Sequence, residues 1–137
     1  MKVKKLHHVA IAVKNIDTAL KDYEDVLGIP KGKVVFIESQ QVKATLLPMG
    51  DCEIELIEPT DPKGGVAKFI ERRGEAIHHI CFEVPDVDHE LAALEKAGCQ
   101  LIDKKSRPGL AGMVGFLHPK SSKGVLTELC TPVQHKP

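Results

Sequence analysis

The chain repeats itself. Residues 6–20 read LHHVAIAVKNIDTAL, and residues 77–91 read IHHICFEVPDVDHEL. At a constant offset of 71, His7, His8, Val13, Asp17 and Leu20 recur as His78, His79, Val84, Asp88 and Leu91. Leu6, Val9, Ile11 and Ile16 become Ile77, Ile80, Phe82 and Val87, which keeps their apolar character. Further on, Glu53-Ile54-Glu55-Leu56 is matched by Leu126-Thr127-Glu128-Leu129 at an offset of 73, so the halves differ by small loop insertions. A fold made from two copies of one supersecondary unit has to bury the face that each copy leaves uncovered.

Local patterns give each half the same order of elements. A short β run comes first, over about 5–13 and 76–84. A helix follows, over about 16–27 and 87–97. Ile16, Leu20, Tyr23 and Leu27 lie on one helical face, as do Val87, Leu91 and Leu94. Asn15 and Asp86 stand where N-caps belong, and Gly28 and Gly98 where helices stop. Three strands then follow, near 33–38, 42–48 and 52–58 in the first half, and near 100–103, 112–118 and 124–130 in the second. The unit is βαβββ, written twice. Module one covers about 1–60, a linker about 61–74 and module two about 75–137, all within one domain over 1–137. The linker opens as a loop and contains a short helix over 66–70. One helix covers one face of a four-stranded sheet, so two such units can curl into a shared cleft between their uncovered faces. The expected class is α+β, a curled mixed sheet around a cleft with the helices outside.

Composition narrows the functions open to such a fold. Lys plus Arg and Asp plus Glu are 19 each, so no global basic field marks a nucleic-acid binder. No apolar run approaches the roughly 20 residues of a membrane span. The basic N-terminus Met1-Lys2-Val3-Lys4-Lys5 is not followed by the apolar core of a signal peptide, and the expected location is the cytoplasm. Cys52, Cys81, Cys99 and Cys130 form no CxxC pair and read as reduced, mostly buried side chains.

Strand alternation selects the chemistry. His8 shares a face with Ala10 and Ala12, and His79 with Cys81 and Glu83. The opposite face carries Val9, Ile11 and Val13, or Ile80, Phe82 and Val84, which should pack under the helices. Glu55 alternates with Ile54 and Leu56, and Glu128 with Thr127 and Leu129, so both should join the His face. Two imidazoles and two carboxylates would then meet, and paired carboxylates repel without a cation. A divalent metal held by His8, Glu55, His79 and Glu128 resolves the conflict. The nitrogen and oxygen set suits Co²⁺, Mn²⁺, Ni²⁺, Fe²⁺ or Zn²⁺. His7 and His78 are expected to point outward. His89 on a helix, His118 before a proline turn and His135 in the tail read as structural or surface groups.

The duplicated unit with its His…Glu…His…Glu set resembles the vicinal oxygen chelate superfamily, and within it the methylmalonyl-CoA epimerase family. The matching stretches are LHHVAIAVKNIDTALKDYEDVLG, LPMGDCEIELIEP, VAKFIERRGEAIHHICFEVPDVD and FLHPKSSKGVLTEL. The resemblance implies His8, His79 and Glu128 as metal ligands. Glu55 falls where the family has Gln or Glu. Co²⁺ is the metal it suggests, a CoA thioester the substrate, and a homodimer the assembly. Some members carry an acidic residue on the preceding strand as one of two bases; here Ala44 occupies that place, with Lys43 beside it.

The implied reaction moves the 2-position proton of methylmalonyl-CoA between its two faces. A carboxylate alone is too weak a base, since each unit of pKa mismatch costs about 1.4 kcal/mol. A metal chelating the thioester oxygen and the carboxylate would stabilise the enolate. Glu128 and Glu55 are the candidate proton carriers. Lys104, Lys105, Arg107, Lys120 and Lys123 are candidate guides for the CoA phosphates. Three other readings use the same scaffold: a glyoxalase I-type lyase, a ring-cleaving dioxygenase built on His8, His79 and Glu128, and a ligand-binding protein without turnover.

Overall fold

A computed structural model describes residues 3–30 and 32–132. His135 lies outside them. Chain contacts divide the protein into two units: residues 8–78, and residues 79–132 together with 3–7.

In the first unit, β1 (Lys5–Ala12, whose first three residues belong to the second unit) leads into α1 (Ile16–Leu27). Then come β2 (Val35–Ile37), β3 (Val42–Met49) and β4 (Cys52–Pro59). The sheet order is β2-β3-β4-β1, with β1 parallel to β4 and the hairpins antiparallel. The second unit contains β5 (Ala76–Glu83) from His79 onward, α3 (Val87–Lys96), β6 (Arg107–Gly109), β7 (Gly112–Leu117) and β8 (Thr127–Thr131). Its order is β5-β8-β7-β6, again with one parallel pair. The two βαβββ modules are therefore real. The linker helix α2 (Gly65–Arg73) is longer than the 66–70 expected, and only Val66 in it is fully buried.

Capping explains the helix starts. The Asn15 carboxamide accepts from Thr18 N at 2.8 Å, and the Asp86 carboxylate from His89 N at 3.2 Å. Gly28 takes the left-handed conformation, φ 68°, that closes α1. α3 also ends at its glycine, as expected. Ala97 caps it at φ −79°, and Gly98, at φ 91°, turns the chain one residue later.

The apolar face of each sheet packs under its helix with matching residues. Val13, Ile16, Leu20, Leu47 and Leu56 form the core in the first unit. Val84, Val87, Leu91, Leu117 and Leu129 form it in the second. Ile11 and Phe82 pack against these clusters, as their facing required. Leu27 does not; it is 62% exposed, because the chain turns away at Gly28.

Three strand expectations need correction. Residues 100–103 are not a strand. Leu101 makes one bridge to Leu117, while Ile102 and Asp103 both donate to the Phe116 carbonyl and Asp103 Oδ2 accepts from Phe116 N at 2.9 Å. The Asp103 side chain takes a ladder position, so the edge strand forms later, at β6. The strand placed at 33–38 is shortened by a 3₁₀ turn over Glu38–Gln40. The last strand begins at Thr127 rather than 124, after a turn in which Lys123 and Gly124 have positive φ.

Candidate functional site

Register fixes which side chains share the face turned away from each helix. In the first unit, Ala10 pairs with Glu55 across β1 and β4, and Leu46 pairs with Glu55 across β3 and β4. Alternation then puts His8, Ala10, Ala12, Leu46 and Glu55 on one face, opposite Ile54 and Leu56. His8 Nε2 stands 3.6 Å from Glu55 Oε1, and both are buried. In the second unit, Cys81 pairs with Glu128, and Phe116 pairs with Glu128 from the other side. His79 Nε2 stands 3.3 Å from Glu128 Oε1, and both are buried. Each module thus carries the same imidazole–carboxylate pair: the histidine lies two residues before the β1 or β5 position that faces the glutamate.

Small neighbours make this possible. Ala10, Ala12 and Cys81 are fully buried and leave room above the strands for the larger imidazoles. The edge of the His79 ring meets Phe116, with centroids 5.2 Å apart and an interplanar angle of 86°. The Arg107 guanidinium lies over Phe116 at 5.7 Å, and Arg107 Nε stands 3.5 Å from Asp103 Oδ1. Phe116 and the position of Arg107 were missed in the sequence. The alternation of Met113 to Leu117 allows Phe116 on this face, but only the β7–β8 register puts it beside Glu128.

His7 departs from expectation. It is buried rather than turned to solvent, and its ring nitrogen, Cys81 Sγ and Cys130 Sγ lie within 4.8 Å of one another. His78 is half-buried, with its ring edge to Phe69 at 4.9 Å. His89 is exposed on α3, and the His118 Nδ1 accepts from Lys120 N at 3.1 Å, a structural use. All four cysteines are free; Cys81 and Cys130 are buried, and Cys52 and Cys99 half-buried. Burial raises the Cys81 thiol pKa far above its ordinary value, and hydrogen bonding to Cys130 and the Glu128 charge act in the same direction.

Ala44, on the site face, carries no acid, and it is fully buried. Lys43 cannot replace one: it lies on the opposite face, with Nζ 3.9 Å from Glu58 Oε2. Of the candidate phosphate guides, Lys104, Lys105, Lys120 and Lys123 are solvent-facing, and Lys104 Nζ stands 3.9 Å from Glu95.

Two duplicated modules, each presenting a buried His–Glu pair, define a class. Residues 7–116 match the Glyoxalase/Bleomycin resistance protein/Dioxygenase superfamily, and the chain belongs to that family. An uncharacterized protein YqjC of Bacillus subtilis is 37% identical over 93% of this chain and 92% of its own length. The mitochondrial methylmalonyl-CoA epimerase of Dictyostelium discoideum is 35% identical over 91% of this chain and 76% of its own. The structure of Streptomyces coelicolor methylmalonyl-CoA epimerase in complex with 2-nitronate-propionyl-CoA superposes with a TM-score of 0.93 at 30% identity, covering 99% of both chains.

Proposed function

We infer that this chain is a methylmalonyl-CoA epimerase that interconverts the (R) and (S) thioesters by removing and returning the 2-position proton. The observation that carries this reading is the duplicated His–Glu pair, 3.6 Å in one module and 3.3 Å in the other, in a chain similar to named epimerases over nearly its whole length.

The donor chemistry fits a divalent cation. Each pair offers one imidazole nitrogen and one carboxylate in a buried setting, where a carboxylate without a cation is costly. His8, Glu55, His79 and Glu128 would hold it together, one pair from each module. Co²⁺, Mn²⁺, Ni²⁺, Zn²⁺ and Fe²⁺ all accept such ligands. When bound, the ion supplies Lewis-acid stabilisation of the negative charge that grows on the substrate oxygen as the proton leaves.

The chain's own groups supply the rest. Glu128 is assigned to take the proton, and Glu55, from the other module, to return it on the opposite face. Phe116 holds the His79 ring by its edge, which fixes the imidazole orientation. The exposed lysines 104, 105, 120 and 123 are the proposed partners of the CoA phosphates. Arg107, over Phe116, lies nearer the reacting end. A homodimer and a cytoplasmic location complete the reading; no helix among the described residues is long and apolar enough to cross a membrane.

The test is metal analysis of the purified protein, with epimerisation followed before and after chelation. Activity that is lost on chelation and restored by Co²⁺ is expected. Equal activity of the metal-free protein would exclude the metal assignment, and no epimerisation in either state would exclude the substrate.

A further inference from the structure

The second unit contains a cluster that the proposed reaction does not use. His7, Cys81 and Cys130 are buried, and their ligand atoms lie within 4.8 Å of one another. We propose that these three residues form a further site, beside Glu128, for a thiophilic cation of the Zn²⁺, Cd²⁺ or Cu⁺ kind, with two sulphur ligands and one imidazole.

The backbone builds the cluster. Cys81 lies on β5 and Cys130 on the adjacent strand β8, both on the face opposite Phe82 and Leu129. Lys4 N donates to the Glu83 carbonyl at 2.8 Å, which anchors the residues before β1 beside the end of β5 and places His7 over the two thiols.

The same register argues against a disulfide. Cys81 pairs with Glu128 and Cys130 pairs with Glu83, so the cysteines are diagonal neighbours. Neighbouring parallel strands lie about 4.8 Å apart and two residues rise about 6.6 Å, so such diagonal positions stand roughly 8 Å apart at Cα. A disulfide spans at most about 7 Å without backbone movement. A bridging cation has no such difficulty. Ligands about 2.3 Å from a zinc-like ion stand roughly 4 Å apart, so the cluster closes around one with a contraction of about 1 Å or less. Glu128, on the Cys81 rung, adds negative potential that a cation relieves. Each thiol gives its proton to solvent as it becomes a ligand. The soft sulphur pair selects a different metal from the all-nitrogen-and-oxygen set of His8, Glu55, His79 and Glu128.

The experiment is a Cd²⁺ titration of the metal-free, full-length protein, read by ultraviolet thiolate-to-metal charge transfer. A band is expected that is lost in Cys81→Ser and in Cys130→Ser, weakened in His7→Ala, and kept in Cys52→Ser. Because the proposed catalytic set contains no thiolate, Glu55→Gln should keep the band whether or not the epimerase reading stands. X-ray absorption of the wild type loaded with one equivalent of Cd²⁺, which needs no variant to fold, should show sulphur ligands. No band in the wild type, a band that survives in both cysteine variants, a sphere of nitrogen and oxygen alone, or a Cys81–Cys130 disulfide in peptide maps would each overturn the proposal.

Discussion

Cys81 and Glu128 occupy one rung of the parallel β5–β8 pairing, on the face that carries His79. Burial foremost, then the hydrogen bond with Cys130 and the neighbouring Glu128 charge, raises the thiol pKa and keeps it protonated. A protonated, inaccessible thiol is a poor nucleophile. Under native conditions without added metal, iodoacetamide should therefore modify Cys52 and Cys99 and spare Cys81 and Cys130. Peptide mass mapping checks this, and early labelling of Cys81 would contradict the burial seen here.

Glu128→Gln keeps the shape of the side chain and removes its basicity. Exchange of the substrate 2-proton with solvent deuterium should fall by about 10²–10⁴-fold, the usual range for a lost general base. Exchange followed by NMR gives the answer, with the melting curve as a check on folding. Undiminished exchange would remove Glu128 from the proton path.

Thr45 is fully buried on the helix side of β3, and its hydroxyl has no hydrogen-bond partner among the described residues. Thr45→Val removes the unsatisfied hydroxyl and keeps the shape, so stability should rise by about 1 kcal/mol. Urea denaturation measures it; a loss of stability would show that the hydroxyl finds a partner in solution.

Gly115 faces α3 closely enough that an added Cβ would stand 2.8 Å from Leu91 Cδ1 and 3.3 Å from Val87 Cγ1. Leu91 and Val87 are themselves core residues and have little room to yield. Gly115→Ala should cost about 1–3 kcal/mol by overpacking. Thermal denaturation should show the drop, and metal affinity should change little because the site face is the other side of the sheet.

Asp88 ties α3 to the segment before β6. Its carboxylate accepts from Ser106 N at 2.7 Å and from Ser106 Oγ at 2.8 Å. These bonds, the backbone one first, hold its pKa below the ordinary value. The folded pKa lies below the unfolded one, so the tether contributes fully above the unfolded pKa and is lost as pH falls through the folded value. Asp88→Asn should therefore lower stability near neutrality and flatten the acid limb of the stability–pH curve. A variant with an unchanged acid limb would show that Asp88 is not part of the acid response.

The sequence by itself determined the two βαβββ modules, both N-caps, and the strand face that carries each of His8, Glu55, His79 and Glu128. Each of these follows from local rules: strand alternation, capping chemistry and duplication repeat within a few residues of the chain. The tertiary structure decided what depends on register between distant strands. Asp103 takes over a ladder position beside Phe116, which moves the edge strand from 100–103 to Arg107–Gly109. Phe116 meets His79 because of which residues pair across β5, β8 and β7, and His7 turns inward onto Cys81 and Cys130 where Lys4 N bonds the Glu83 carbonyl. Cross-strand neighbours are fixed by hydrogen bonds between segments far apart in sequence, and no local pattern encodes which rung they share.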